Sequence, residues 1–200
     1  MTTVSLTAHF PVDTDHLGHL RARLARDAQT NGLLDIAYRT VDSVIGTLLL
    51  AASPLGLLRI AFANEDYDQV LQNLSRRISP RLLEAPARLD PAARQLDEYF
   101  THRRHTFDLP LDWSLASGFR RQVLGHLATD IGYGATTSYA GLARLSGSPK
   151  AVRSVGTACA TNPIPIVVPC HRVIQSSGAV GAYRGGTAAK STLLQLEQER

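Results

Sequence analysis

The apolar pattern of the chain changes at residues 109–112, Leu-Pro-Leu-Asp, and this change divides the sequence into two parts. The first part contains short apolar runs bounded by turn residues, which predict strands. These runs lie at residues 36–40, 45–53 and 57–63. In the second part, apolar residues recur mostly at helical spacing. The sequence therefore predicts an α+β protein. A small N-terminal α/β domain with a short antiparallel sheet (residues 33–110) is followed by a mostly helical C-terminal domain (residues 111–200).

Local signals in the first part also predict a hairpin loop and two helix starts. They lie at residues 53–56, Asn64 and Asp90-Pro91. Residues 1–32 are interpreted as an N-terminal extension. It contains a helix that is capped by Asp13 and ends at Asn31-Gly32. The residues that recur at helical spacing there are Leu17, Leu20, Leu24 and Ala28.

The composition excludes several classes of protein. Of the 200 residues, 44% are hydrophobic and 19% are charged, so a packed core is expected and wholesale disorder is not. The longest apolar run, residues 48–52, is too short to cross a bilayer, and the first residues do not resemble a secretory signal. Two cysteines, Cys159 and Cys170, cannot form a disulfide framework or a four-cysteine zinc site. A cytoplasmic protein without a membrane partner is therefore expected.

The net charge of +4 lies in the second part of the chain. Residues 1–110 hold twelve Lys and Arg against thirteen Asp and Glu, whereas residues 111–200 hold nine against four. The cations between Asp130 and Glu197 are Arg144, Lys150, Arg153, Arg172, Arg184 and Lys190. A basic surface of this kind suits a polyanion, most commonly nucleic acid, although ordinary solubilising charge gives the same count.

A helix-turn-helix is predicted within the basic part. Ser138 is expected to cap a helix over residues 139–145, a turn follows, and Ser148-Pro149 is expected to start a second helix. On that helix one face carries Val152, Val155, Gly156 and Cys159, and the other carries Lys150, Arg153, Ser154, Thr157 and Thr161. The second face is basic and otherwise small, which suits close approach to DNA, but a helical hairpin that only packs gives the same pattern. Cys159, on the apolar face, is interpreted as a packing residue.

Cys170 is notable for its neighbours. His171 and Arg172 follow it directly, and Pro165 and Pro169 stiffen the apolar segment before it. A thiol becomes a nucleophile when positive charge lowers its pKa or when a base removes its proton. The cluster therefore predicts a thiol that acts on nucleic acid, with an inert buried cysteine as the alternative.

The motif Pro-Cys-His-Arg-Val at residues 169–173 resembles the active-site motif of the methylated-DNA–protein-cysteine methyltransferases, the 6-O-alkylguanine-DNA alkyltransferases. Flanking motifs resemble the same family, in order, at residues 133–134, 137–139, 149–153, 162–163 and 181–186. Residues 36–108 resemble its N-terminal domain less specifically, and residues 1–32 have no part in the resemblance. The resemblance implies DNA repair by irreversible, stoichiometric transfer of an alkyl group from 6-O-alkylguanine, and from 4-O-alkylthymine, to the protein's own cysteine after nucleotide flipping.

The resemblance also assigns catalytic roles. Cys170 is the acceptor, His171 acts on it as a base through a bridging water, and Glu197 orients His171. Asn162 braces the thiol, and Tyr139 helps to rotate the nucleotide and donates a hydrogen bond to the departing guanine. Core packing is the alternative for Tyr139.

Glu197 has support independent of the resemblance. It shares the inward face of a predicted final helix with Leu193 and Leu194, and a carboxylate there needs a partner, which a histidine can supply. A solvated Glu197 on a frayed last turn is the alternative.

The implied DNA-binding residues are Tyr139, Lys150, Ala151, Arg153 and Ser154. Arg153 enters the duplex and fills the gap left by the flipped nucleotide, with a phosphate contact as the alternative. The implied substrate pocket contains Pro165, Val173, Tyr183 and Arg184. There the carbonyls of Cys170 and Val173 read the exocyclic amine of guanine, Tyr183 forms a wall, and the backbone of Arg184 lies near the guanine oxygen.

The chain departs from the common family pattern at three places. Arg184 stands where other members carry a small residue, residues 43–46 replace a Ser-Pro-Leu-Gly strand start, and Leu124 replaces a tryptophan. No cofactor and no metal are expected, because the protein itself is the acceptor. The alternative is a metal held by His16, His19, His102 and His105.

The expected partner is double-stranded DNA, contacted in the minor groove by a monomer with little sequence specificity. Two other classes of function compete. A lesion-binding module like the alkyltransferase-like proteins lacks the acceptor cysteine, so Cys170 argues against it. A transcription regulator that uses only the helix-turn-helix predicts sequence-specific binding in the major groove and no role for the thiol.

Overall fold

The computed structural model describes residues 14–199, and its N-terminal part is built on a four-stranded sheet. The strands are β1 (Ile36–Val41), β2 (Leu48–Ser53), β3 (Gly56–Phe62) and β4 (Leu82–Glu84), in the order β3-β2-β1-β4. The pairs β1–β2 and β2–β3 are antiparallel as predicted, but β4 pairs with β1 in parallel, so the sheet is mixed. With only three residues, β4 is too short to show a strand pattern in the sequence.

The free edge of β3 is covered by the boundary segment at residues 109–112 and by a loop of the second part of the chain. Leu57 N donates to Pro110 O at 2.8 Å, and Ile60 N donates to Pro163 O at 2.9 Å. Gly56 allows this close approach, because its φ is +135° and a Cβ there would lie 2.1 Å from Pro110 O. The sheet edge therefore fixes both the segment at residues 109–112 and the loop that leads towards Cys170.

Three helices accompany the sheet: α1 (Thr14–Thr30), α2 (Tyr67–Arg77) and α3 (Asp90–Phe100). The cap of α2 is Asp66 rather than Asn64, since the Asp66 carboxylate accepts from Gln69 N at 3.1 Å. Pro91 lies in the first turn of α3 as predicted, but Asp90 is already helical and does not cap it; Leu89 occupies the cap position without a side-chain hydrogen bond. Both helices therefore follow from local signals in the sequence.

The leucines of α1 do not form its buried face. Leu17, Leu20 and Leu24 are 37%, 48% and 55% exposed, whereas Ala25 and Ala28 are buried. The helix packs on the protein through these two small side chains, so its leucine stripe is left on the outside. Asp13, the predicted cap, lies outside the described residues.

The second part is mostly helical, as predicted. It contains α4 (Gly118–Asp130), α5 (Tyr139–Leu145), α6 (Val152–Ala160), α7 (Gly186–Leu196) and two short parallel strands, β5 (Thr137–Ser138) and β6 (Val173–Ile174). Ser138 caps α5, because its hydroxyl accepts from Gly141 N at 3.0 Å. The helices α5 and α6 form the predicted helix-turn-helix.

The second helix of this motif begins later than Ser148-Pro149 predicts. Residues 149–150 form a turn in which Ala151 N donates to Ser148 O at 2.9 Å, and α6 starts at Val152. Val152 is 38% exposed rather than buried, whereas Val155 and Cys159 lie in the core as predicted.

One hydrophobic core joins the two parts of the chain. It includes Phe62 and Tyr99 from the first part and Val155, Cys170 and Leu193 from the second. The thiol therefore lies where the two parts meet. No helix in the described part of the chain has the length and apolar character that crossing a membrane requires.

Candidate active site

Cys170 opens a 3₁₀ turn (Cys170–Arg172) at the end of a buried segment that follows α6. The residue is 5% exposed, and its N–H donates to Val168 O at 2.8 Å. Ile166, four residues earlier, has a φ of +74°, which a β-branched residue rarely adopts. The backbone before the thiol is thus strained, as is common next to reactive groups.

Asn162 connects the end of α6 to the thiol. Its Nδ2 donates to Cys170 Sγ at 3.1 Å and to Val168 O at 2.8 Å, and its Oδ1 accepts from Ile164 N at 3.0 Å. All of the amide's main hydrogen-bonding capacity is used, so its orientation is fixed. The structure therefore brings the predicted brace into contact with the predicted acceptor.

The resting thiol is protonated. Burial raises the pKa of Cys170 to about 11, although the Asn162 hydrogen bond and the nearby charge of Lys190 act to lower it. A thiol with this pKa has little thiolate at neutral pH. Nucleophilic chemistry at Cys170 therefore needs a base that removes its proton.

The carboxylate of Glu197, directly after α7, is buried and surrounded by donors. Its Oε1 accepts from His171 Nε2 at 2.9 Å, Arg172 Nη2 at 2.8 Å and Tyr99 Oη at 2.7 Å. Its Oε2 accepts from Arg172 Nε at 2.8 Å and Gly134 N at 3.1 Å. These hydrogen bonds hold the end of α7 in place and keep the Glu197 carboxylate against His171.

This arrangement decides the protonation of His171. Burial acts to raise the pKa of Glu197, but hydrogen bonds from His171 and Arg172, and their charges, lower it to about 2. An ionised carboxylate can only accept, so His171 Nε2 carries the hydrogen. Burial also lowers the pKa of His171, against the opposing effect of Glu197. At neutral pH, His171 Nδ1 therefore holds a lone pair, and it makes no hydrogen bond to any residue of 14–199.

A cavity of about 260 Å³ opens beside Cys170. Its walls are formed by Tyr139, Gly156, Cys159, Ala160, Cys170, Ala182, Tyr183 and Arg184. Four of the predicted site residues therefore meet at one cavity. Cys159 packs in the core as predicted, but it also forms part of this wall. A larger cavity of about 460 Å³, between α2 and Pro163, does not include Cys170 among its lining residues.

Two tyrosines of this cavity are suited to donate hydrogen bonds. Burial raises the pKa of Tyr139 and of Tyr183, so both hydroxyls stay protonated. The Tyr183 ring lies edge-on to His171 at 6.4 Å and to Phe62 at 5.3 Å between ring centroids. Its buried hydroxyl has no hydrogen-bond partner among the described residues.

Val173 and Pro165, both predicted for the pocket, are buried and do not line the cavity. The side chain of Val173 belongs to the core, and its carbonyl accepts from Lys190 Nζ at 2.6 Å. Sequence reasoning missed this role of Lys190. The only signal in the sequence is its spacing, which places this lysine on the inward face of α7. A charged side chain is unusual on such a face.

Arg184 connects the cavity to the first part of the chain. Its Nε lies 3.0 Å from Glu65 Oε2, and its carbonyl accepts from Asn64 Nδ2 at 2.9 Å. Glu65 is also paired with the buried Arg59. The guanidinium of Arg184, where a small residue was expected, is thus held by Glu65 instead of being free at the cavity.

The exposed start of α6 carries the predicted DNA-binding residues. Lys150, Arg153 and Ser154 are exposed, and Ala151 is half-buried. Within residues 14–199 the guanidinium of Arg153 makes no hydrogen bond or ion pair, so it is free to engage a ligand. Tyr139, at the start of α5, is placed both at this motif and at the cavity.

The basic surface is smaller than the sequence count predicts. Arg172 and Lys190 are 7% and 1% exposed and serve Glu197 and Val173, and Arg184 pairs with Glu65. The cations of that group that are exposed and make no ion pair with another residue of 14–199 are Arg144, Lys150 and Arg153. Local charge counts cannot distinguish these two sets, because burial depends on long-range packing.

The alternative of a histidine metal site has no geometric support in the described part of the chain. Within residues 14–199 no group of three His, Cys, Asp or Glu side chains is arranged to hold a metal ion. His102 contacts Glu199 at 3.7 Å, and His105 stacks on Tyr133 with ring centroids 4.2 Å apart.

Comparison with known proteins identifies the family. Residues 118–199 match the family described as "6-O-methylguanine DNA methyltransferase, DNA binding domain", and residues 36–113 match its "ribonuclease-like domain". The chain is 42% identical over 163 residues to the methylated-DNA–protein-cysteine methyltransferase of Mycolicibacterium paratuberculosis, covering 82% of this chain and 93% of that protein. It is 38% identical over 165 residues to the constitutive enzyme of Bacillus subtilis, covering 80% and 94%.

Solved structures support the same family assignment. The O6-methylguanine methyltransferase of Mycobacterium tuberculosis superposes with a TM-score of 0.71 at 38% identity, over 82% of this chain and 93% of that one. The Mycobacterium tuberculosis protein crystallised in complex with DNA superposes with a TM-score of 0.70 at 38% identity, over 81% and 92%. The chain belongs to the 6-O-methylguanine DNA methyltransferase family.

Proposed function

We propose that this chain repairs DNA directly, by transferring a methyl or larger alkyl group from 6-O-alkylguanine, and from 4-O-alkylthymine, to Cys170. The relatives carry the name of this reaction. One observation supports the choice of Cys170 above all. The residue lines the cavity, its sulfur lies 3.1 Å from Asn162 Nδ2, and it shares a turn with a histidine that Glu197 holds in its neutral, Nε2-protonated form.

The proposed reaction moves one alkyl group and one proton. His171 Nδ1 takes the Cys170 proton through a bridging water, and the thiolate attacks the alkyl carbon. The bond between that carbon and the guanine oxygen breaks, and its electron pair stays with guanine. Guanine then takes up, through water, the proton that His171 removed from Cys170, so His171 returns to its neutral form. Tyr139 donates a hydrogen bond to the departing base. The products are guanine and an S-alkylcysteine, whose thioether is stable, so each molecule acts once and no cofactor is consumed.

Nucleotide flipping is part of the proposal because Cys170 is buried. A base inside the duplex stack cannot reach the sulfur of a residue that is 5% exposed, so the damaged nucleotide rotates out into the cavity. We propose that α6 lies in the minor groove, where Lys150, Ala151 and Ser154 contact the backbone. The free guanidinium of Arg153 then occupies the gap in the stack.

We also propose a role for each part of the chain. Residues 111–200 bind DNA and accept the alkyl group, residues 33–110 support that site, and residues 1–32 are an N-terminal extension. The chain acts as a monomer in the cytoplasm, on the DNA of the nucleoid. The contact between Glu65 and Arg184 supports the idea that residues 33–110 help to shape the cavity.

The two cysteines give a matched test. Duplex DNA containing 6-O-methylguanine is incubated with the wild-type protein, Cys170→Ser and Cys159→Ser, and loss of the lesion and DNA binding are measured separately. We expect Cys170→Ser to bind the lesion without repairing it, and Cys159→Ser to repair it. Repair by Cys170→Ser contradicts the proposal. Sequence-specific binding with no repair by any variant favours a transcription regulator.

A further inference from the structure

Tyr99 reaches the acceptor site from the first part of the chain. It lies on α3, is completely buried, and donates its hydroxyl hydrogen to Glu197 Oε1 at 2.7 Å. Its ring packs against Phe100, Phe107 and Tyr133, with centroids 5.2 to 6.1 Å apart. The hydroxyl is therefore held in one position by a rigid aromatic cluster.

The direction of this hydrogen bond is fixed. Burial raises the pKa of Tyr99 far above its usual value, and the nearby carboxylate of Glu197 raises it further. The phenol therefore never ionises near neutral pH, and the ionised carboxylate can only accept. Tyr99 is a permanent donor to Glu197.

Tyr99 competes with His171 for the same carboxylate oxygen. Oε1 accepts from Tyr99, from His171 Nε2 and from Arg172 Nη2, so its negative charge is shared among three donors. The more charge the other donors withdraw, the less Oε1 stabilises a positive imidazolium on His171. A hydroxyl at this position therefore disfavours protonation of His171.

We propose that Tyr99 is a positioning residue for alkyl transfer: its hydroxyl fixes the Glu197 carboxylate and limits its pull on His171, so that the imidazole stays neutral and can take the Cys170 proton. This inference rests on the proposed role of His171 as the base. It also gives residues 33–110 a chemical function, because α3 supplies a group that sets the basicity of a residue in the second part of the chain.

Several charged or titratable groups of residues 14–199 surround the imidazole. They are Glu197 and Lys190 at α7, Cys170 and Arg172 in the same turn, Tyr183 in the cavity wall, and Tyr99 behind the carboxylate. Arg172 and Lys190 also disfavour the imidazolium. Tyr99 differs from them because it acts without a charge, and its hydroxyl can be removed with little change of shape.

The test is Tyr99→Phe in the full chain, with Tyr133→Phe as the matched control. Tyr133 belongs to the same aromatic cluster, but its hydroxyl donates to Leu196 O at 3.0 Å and not to the carboxylate. Two quantities are measured against pH: the single-turnover rate of methyl transfer from duplex DNA, and the His171 imidazole resonances in the unreacted protein. We expect Tyr99→Phe to raise the pKa of His171, and the acidic limb of the rate profile, by about one unit. Tyr133→Phe should leave both at the wild-type position.

A second variant tests the sign and avoids a packing defect. A ring-fluorinated tyrosine at position 99 is a stronger donor of the same shape, so it should move the pKa of His171 and the acidic limb downwards. If Tyr99→Phe lowers only the melting temperature and leaves the His171 titration unchanged, the role of Tyr99 is structural and the inference is wrong. The imidazole titration does not depend on transfer, so a wild-type protein that fails to transfer methyl groups contradicts the proposed function without deciding the effect of Tyr99.

Discussion

Asn162 and Cys170 are joined by a hydrogen bond from Nδ2 to Sγ at 3.1 Å, and the same amide is tied to the backbone at Ile164 and Val168, before the thiol. The donor is thus aimed at the sulfur before any substrate is present. A preorganised donor stabilises the thiolate as it forms without the cost of reorganising during the reaction.

Asn162→Asp should slow methyl transfer strongly. The substitution keeps the shape of the side chain but replaces the donor by a carboxylate, which repels a thiolate. Loss of a hydrogen bond to a charged group corresponds to roughly a ten- to hundredfold lower rate, and the added repulsion lowers it further. Single-turnover rates of Asn162→Asp and Asn162→Ala measure the two contributions. A wild-type rate in Asn162→Asp contradicts the role of this contact.

Glu197 should make the fold sensitive to acid. Its pKa is about 2 in the folded protein against an ordinary 4.5, so its ionised form favours the folded state above pH 4.5, and that contribution is lost as the pH falls through 2. Between pH 5 and pH 3 the gap in unfolding free energy between wild type and Glu197→Gln should shrink by about 2 kcal/mol. Denaturant titrations at the two pH values measure this gap. A constant gap shows that the carboxylate is not preferentially ionised in the folded state.

Arg153→Ala should impair repair of duplex DNA much more than reaction with a free 6-O-alkylguanine base. In the proposed role the side chain fills a gap in the base stack, and a free base leaves no gap. Arg144→Ala is the control, since it removes an exposed cation of the same motif that lies in the last turn of α5 and not at the start of α6. If Arg153→Ala loses the same fraction of its rate with both substrates, or if Arg144→Ala loses as much as Arg153→Ala, then Arg153 makes only a general phosphate contact.

Glu65 and Arg184 should contribute unequally to stability, although they form one ion pair. The side chain of Glu65 is 14% exposed and also neutralises the buried Arg59, whereas that of Arg184 is 38% exposed. Glu65→Ala leaves Arg59 as an uncompensated buried charge, which costs about 3 kcal/mol or more. Arg184→Ala removes a partly solvated charge and should cost about 1 kcal/mol or less. Urea denaturation of both variants measures the two losses of unfolding free energy. Equal losses contradict the unequal contributions of the two residues.

Local patterns in the sequence predict the elements whose determinants lie within a few residues. The capping hydroxyl of Ser138, the proline at the start of α3 and the motif around Cys170 are of this kind. The start of α6 was misplaced because Ser148-Pro149, a common helix start, forms a turn here. Strand β4 was missed because it is only three residues long and depends on pairing with β1.

Features that depend on distant contacts could not be predicted. Lys190 and Arg172 were counted as surface charge, yet both are buried, because a carbonyl and a carboxylate from elsewhere in the chain satisfy them. Tyr99 lies 98 residues from Glu197, and no local pattern connects the two. The resemblance named the reacting groups, whereas the structure shows what holds them.

The most direct test of the account is the mass of the protein after reaction. The wild-type chain is mixed with excess duplex DNA containing one 6-O-methylguanine, and its intact mass and modified peptide are determined. We predict a gain of one methyl group per molecule, located on Cys170, with no second addition on prolonged incubation. An unchanged mass, or a methyl group on Cys159 instead, contradicts the central claim that Cys170 is the acceptor.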